Sequence, residues 1–234
     1  MRARTRNVAA AVVHRLWALA NEVGAVSRDD ALGRRFRHLG ANTALSFPPG
    51  AVFGERWITI GDDVLVGPLT SIAAGLFNEP IDPDRDPIIV IGDRCNIGRS
   101  CHIVGRVGIT IGDDVTTGPN VYITDHNHSY AHVGVPIGEQ WLVEDTVSIG
   151  AGSWLGAGVV VLPGARIGRH VTVAAGSVVR GELPDRCVAV GSPAKVVRRW
   201  VSGEGWVPPL RHGEVRGPGD WPGNPPWPIS EDEL

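Results

Sequence analysis

The sequence predicts an all-β fold, a parallel β-helix, and three observations predict it. Aliphatic residues recur every six positions, at Ile91, Ile97 and Ile103, at Ile111 and Ile123, and at Ile149, Leu155, Val161, Ile167, Val173 and Val179. An earlier trio, Ile60, Val66 and Ile72, keeps the same beat. Glycine directly follows many of them, as in Ile91-Gly92, Ile97-Gly98, Ile111-Gly112, Ile149-Gly150 and Ile167-Gly168. Four positions after the aliphatic residue stands a small or β-branched one: Cys95, Cys101, Val115, Val121, Ser153, Val159, Ala165, Val171 and Ser177. A six-residue period fits neither an α-helix nor a stack of hairpins. It is the mark of a solenoid in which each hexapeptide forms one short strand and one corner. The first and fifth side chains point into the coil, and glycine permits the corner backbone.

The elements follow in chain order. Residues 1–57 read as an N-terminal helical and lead-in segment. Within it, 7–23 form a helix with Val12, Leu16 and Leu19 on one face and Trp17 beside them. Its expected role is packing. Arg2, Arg4 and Arg6 with Trp17 also fit a weak association with a membrane surface. The apolar run Val8–Val13 stops at His14-Arg15, short of the ~7–15 residues of a signal-peptide core. No stretch approaches the ~20 apolar residues of a membrane span. Residues 27–40 are basic, and Pro48-Pro49 breaks the lead-in.

Residues 58–199 hold the repeat, and its phase breaks locate insertions. Nineteen residues separate Ile72 from Ile91, so 73–90 form a loop. Two extra residues between Ile103 and Ile111 make a small bulge. The interval from Ile123 to Ile149 is twenty-six residues, so 125–146 leave the coil as a long extruded loop. Loops of this length in a compact domain are usually functional. Residues 200–234 form a Pro/Trp-rich tail with Trp206, Trp221 and Trp227, too poor in other apolar residues to build a core.

Composition narrows the function. A net charge of −3 and a pI near 6.2 argue against nucleic-acid binding. Three cysteines make no disulfide framework, and Cys95 and Cys101 fall at inward positions. Nothing points to an oxidising compartment, so a cytoplasmic location is expected.

On these repeats the chain resembles the hexapeptide-repeat acyltransferases, in particular the galactoside and maltose O-acetyltransferases and their glycan-modifying relatives. The resemblance implies a left-handed β-helix and a homotrimer with active sites between subunits. It also implies transfer of acetyl from acetyl-CoA, as co-substrate, to a sugar hydroxyl of a glycan, glycolipid or glycosylated metabolite, with no metal. Amino-sugar N-acyl transfer and drug acetylation use the same fold and stay open. So do a zinc hydrase, with His102, His126 and His128 as imagined ligands, and a non-catalytic scaffold.

Acyl transfer to an alcohol needs a base, and histidine suits it. Two stand in Ile123-Thr124-Asp125-His126-Asn127-His128. The family's histidine follows an Ile-Gly-Asp hexad by sixteen residues from its glycine. Counting from Gly112 without gaps reaches His128, which is therefore the expected catalytic residue, with His126 the alternative. Glu139 or Glu144 is the expected orienting acid. Acceptor contacts are expected from Tyr122, Asp125, His126, Ser100 and His102. The resemblance places the cofactor on Trp154, Ala157, Ala175, Lys195 and Arg198, with Arg180 standing in for the family's usual Thr-Lys pair.

Overall fold

The computed structural model describes residues 3–75, 82 and 85–210. Short parallel strands stack into three faces of a left-handed prism. The first face holds His38–Leu39, Ile58–Ile60, Ile89–Ile91, Ile109–Ile111, Val147–Ile149, Arg166–Ile167 and Glu182–Leu183. The second holds Ala44–Leu45, Leu65–Val66, Asn96–Ile97, Thr116–Thr117, Trp154–Leu155, Thr172–Val173 and Cys187–Gly191. The third holds Val52–Phe53, Ser71–Ala74, His102–Gly105, Tyr122–Thr124, Val160–Val161 and Val178–Val179. The strand Ala194–Val201 then turns back antiparallel on Cys187–Gly191 and closes the second face.

The hexapeptide phasing accounts for the core. Ile60, Ile72, Ile97, Ile103, Ile123, Leu155 and Val173 are buried, and so are the fifth-position Cys95, Val115, Val159, Ala165 and Val171. Inward polar residues satisfy corner backbone, as buried polar groups must. Ser153 Oγ donates to the Gly168 carbonyl at 3.0 Å and accepts from Val171 N at 3.1 Å. Coils approach so closely at the corners that a Cβ on Gly118 would lie 2.6 Å from Ala157 N.

The coil starts earlier than the sequence suggests. The expected boundary at residue 58 is corrected by His38↔Thr59, Ala44↔Leu65 and Val52↔Ile72, all parallel pairs. Leu39 and Leu45 are buried and six residues apart, but no glycine marks them as a pair of repeats. Pro48 does not break the coil. It occupies a corner, where its carbonyl accepts from Leu69 N at 2.7 Å.

Ala3–Gly24 is a helix. Contrary to the packing role expected of it, Val12, Leu16 and Leu19 are exposed. Trp17 meets Phe47 edge-on, with ring centroids 6.3 Å apart. No helix among the described residues is long and apolar enough to cross a membrane. The expected loop at 73–90 lies partly outside the described residues.

The chain divides into two compact units, Met1–Arg199 and Trp200–Leu234. In the second, Trp200 and Trp206 meet edge-on at 5.8 Å. Trp221 and Trp227 lie outside the described residues.

Candidate active site

The two central phase breaks are one structure. The coil leaves the third face after Thr124, and the extra residues after Gly105 widen the same corner one coil earlier. The widened turn aims three backbone N–H groups at Asp125. Arg106 N donates to its carboxylate at 2.9 Å, and Val107 N and Gly108 N each donate to Oδ2 at 2.7 Å. Asp125 is fully buried. Burial alone would raise its pKa, but the hydrogen bond from His126 and the N–H groups of Gly108, Arg106 and Val107 outweigh it and hold the carboxyl below the usual range.

Asp125 Oδ1 in turn receives His126 Nδ1 at 2.9 Å. The His126 side chain is only 12 % exposed. Thr124 Oγ1, also buried, lies 3.3 Å from the same nitrogen and donates to the His126 carbonyl at 3.1 Å. A carboxylate at Nδ1 selects the tautomer with the proton there, which makes Nε2 the basic nitrogen.

Asp125 therefore cannot touch an acceptor, contrary to expectation, because its side chain is buried and committed to the turn and to His126. It is the orienting acid in place of Glu139 and Glu144. Glu144 is paired with Arg106 instead.

Beyond Asp125 the chain forms an antiparallel hairpin, His126–His128 against Leu142–Glu144. The repeat phase that placed His128 on an outward coil position stops applying at Thr124, since His128 stands on this hairpin. His128 is exposed all the same. It lines a cavity of ≈ 170 Å³ with Arg106, Gly138, Glu139, Gln140, Trp141 and Leu142. The Arg106 guanidinium lies over the Trp141 ring, 5.8 Å from its centroid.

The remaining candidates fall into groups. Tyr122 pairs with His102 on the third face, both exposed, and leads into the Asp125–His126 corner. Ser100 lies at the opposite edge of that face, with Ser100 N donating to the Pro68 carbonyl. Trp154 is exposed on the second face, between Thr116 and Thr172. Ala157 and Ala175 stack at the corner between the second and third faces, where Gly176 N donates to the Ala157 carbonyl at 2.9 Å. Lys195 and Arg198 sit on the closing strand opposite Val190 and Val188, and Arg180 is exposed at the corner between the third and first faces.

Within one chain, then, the histidines and the alanine column occupy different corners of the prism. Among the described residues no group of three or more His, Cys, Asp or Glu could hold a metal ion, so His102, His126 and His128 do not form a ligand set. Cys95, Cys101 and Cys187 are buried, and burial pushes the Cys95 thiol up to about 11.

The repeats match two family models, Bacterial transferase hexapeptide (six repeats) over residues 146–181 and Hexapeptide repeat of succinyl-transferase over 88–125. The chain is 38 % identical over 120 residues to the putative lipopolysaccharide biosynthesis O-acetyl transferase WbbJ of Escherichia coli K12, covering 48 % of this chain and 61 % of WbbJ. It thus spans less than two thirds of that relative. It is 32 % identical over 161 residues to the putative acetyltransferase C18B11.09c of Schizosaccharomyces pombe, covering 60 % of this chain and 75 % of that protein. The fold is shared with AntD, an N-acyltransferase from Bacillus cereus solved with dTDP-4-amino-4,6-dideoxyglucose and coenzyme A. The TM-score is 0.62 at 19 % identity, over 74 % of this chain and 88 % of AntD.

Proposed function

Because the chain belongs to the hexapeptide-repeat acetyltransferase family, we propose that it transfers an acetyl group from acetyl-CoA to a sugar hydroxyl of a glycan, glycolipid or glycosylated metabolite. His126 is the general base and Asp125 positions it. The single observation that carries this assignment is the hydrogen bond from His126 Nδ1 to a buried carboxylate. As the acceptor oxygen attacks the thioester carbonyl, its proton passes to Nε2. The carbon–sulfur bond then breaks, and the same proton is returned to the CoA sulfur. Asp125 compensates the imidazolium in between. Attack is direct, since the described cysteines are buried inside the coil.

CoA would lie along the alanine column at Ala157 and Ala175, against Trp154. Its phosphates would meet Lys195, Arg198 and Arg180 by charge-assisted hydrogen bonds. The column and the histidine stand on different corners of one chain. A homotrimer with the active site between subunits joins them, and this reading places the enzyme in the cytoplasm. Tyr122, His102 and Ser100 border the acceptor.

Two alternatives have a specific observation behind them. His128 as base is favoured by its place in the cavity beside Trp141 and Glu139. Amino-sugar N-acyl transfer is favoured by the fold shared with AntD. The test is release of CoA thiol from acetyl-CoA against a panel of sugars, amino sugars and glycan fragments. Mass spectrometry would assign the product, and hydroxylamine cleaves an ester but not an amide. No thiol release above hydrolysis with any acceptor would contradict the reading.

A further inference from the structure

Two apolar features among the described residues stand in solvent. One is the helix Ala3–Gly24, where Val8, Val12, Leu16, Leu19 and Val23 recur at helical spacing and are all at least half exposed. Such a stripe ordinarily faces a core. Trp17, on the helix flank, meets Phe47, and the stripe is turned away from that contact. A helix stabilised by neither packing nor a partner is marginal in water.

The other is the corner at Leu69, which is 46 % exposed and has φ +62°. Left-handed backbone disfavours leucine and suits asparagine or glycine. Along the same column of corners the equivalent positions are Ser100 (φ +55°), Asn120 (φ +60°), Gly158 (φ +67°) and Gly176 (φ +70°). Leu69 alone in that set adopts an unfavourable conformation to place an aliphatic side chain in water, and strain of this kind marks functional positions. Leu65, on the adjoining strand, is exposed beside it.

We propose that the helix of one copy packs its Val8–Val23 stripe against the Leu65–Leu69 patch of a second copy. Charge supports a second copy as the occupant. The helix carries Arg4, Arg6 and Arg15 against a single acid, Glu22, while the whole chain is net −3. The body is therefore acidic. An anionic bilayer would attract the helix and repel the body behind it, whereas another copy offers both an apolar patch and the complementary charge. A contact from one patch to a different patch is heterologous, and it closes into a ring when the rotation allows. The inference needs copies to associate but not that they transfer acetyl groups.

Cross-linking tests it on the full chain. Leu16→Cys and Leu69→Cys, carrying different affinity tags, are co-expressed and treated with a short bismaleimide. The native cysteines are buried, so only the introduced thiols react. A product bearing both tags, several-fold above that from either variant alone, is expected. Val12→Cys replaces Leu16→Cys as a second probe. Leu69→Asn, which installs the residue found at the Asn120 corner, should keep the fold but make the helix several-fold more sensitive to protease. Products confined to Leu16–Leu16 pairs, or no product between chains, would overturn the proposal. Binding to phosphatidylglycerol vesicles that Leu16→Glu abolishes, without Leu16–Leu69 cross-links, would assign the helix to a membrane instead. Loss of acetyl transfer alone would leave the cross-link unchanged, so the two accounts fail separately.

Discussion

Replacing Asp125 by Asn keeps the shape of the side chain and removes its charge, and the hydrogen bonds around it set a cost for each amide orientation. With the amide nitrogen in place of Oδ2, it faces Val107 N and Gly108 N, both 2.7 Å away. Two buried donors then lose their acceptor. At about 1–3 kcal/mol per orphaned donor, and given how rarely single substitutions exceed 4–5, the cost is about 2–4 kcal/mol. For a chain of this size that lowers Tm by about 5–15 °C. With the amide nitrogen in place of Oδ1, it faces His126 Nδ1, which must then accept. The ring proton moves to Nε2, and the base is lost. Either orientation also removes the charge that stabilises the imidazolium. We expect kcat to fall by about 10²-fold or more, within the range of general-base catalysis, while CoA affinity is kept.

The wild type supplies an internal check on pH. The folded pKa of Asp125 is depressed, so its stabilisation is complete above the unfolded value of about 3.9 and is lost as pH falls through the folded value. Asp125→Asn should lack that acid-side loss. The assays are thermal melts between pH 7 and the acid limit and steady-state thiol release. A folded variant with wild-type kcat and an unchanged acid melting profile would refute the role given to Asp125.

Ile167→Asp puts an unpaired charge into a coil with no room for water, and soluble protein should be lost. An unchanged melting temperature would show the hexapeptide phasing to be wrong. Lys195→Ala with Arg198→Ala should weaken CoA by about 1–3 kcal/mol in calorimetry, and dephospho-CoA by less if the 3′-phosphate is the partner. Equal CoA affinity in the double variant and wild type would remove both residues from the site. Light scattering at micromolar concentration should report a trimer, and a monomer would sink the shared site.

Much of the fold is legible in the sequence because one coil repeats one physical problem. Each inward position must be aliphatic or small, and each corner must turn, so Ile97, Val115 and Ile167 report their own burial. The first coil is obscure because Leu39 and Leu45 keep the beat for only two positions and Leu45 has no corner glycine after it. The insertions are visible as phase breaks, but their meaning is not. That the bulge at Arg106–Gly108 and the loop after Thr124 meet around one carboxylate is a fact of stacking between coils. Counting from Gly112 to His128 assumes that the coil continues, and it ends before that residue is reached. Asp125 is adjacent to His126 in the chain, so an acid–histidine pair could have been suspected there. Its burial, which separates an orienting group from a substrate contact, appears only in three dimensions.

The most direct test compares two single variants, His126→Ala and His128→Ala, both confirmed as folded and in the wild-type oligomeric state. The measurement is kcat for acetyl transfer, with the pH profile of kcat/KM. The account predicts that His126→Ala lowers kcat by about 10²–10⁴ and removes the acidic limb of the profile, while CoA affinity is retained. His128→Ala should keep most of the turnover and alter mainly the acceptor KM, through the cavity beside Trp141. Turnover abolished in His128→Ala and largely retained in His126→Ala would contradict the account and move the base onto the hairpin.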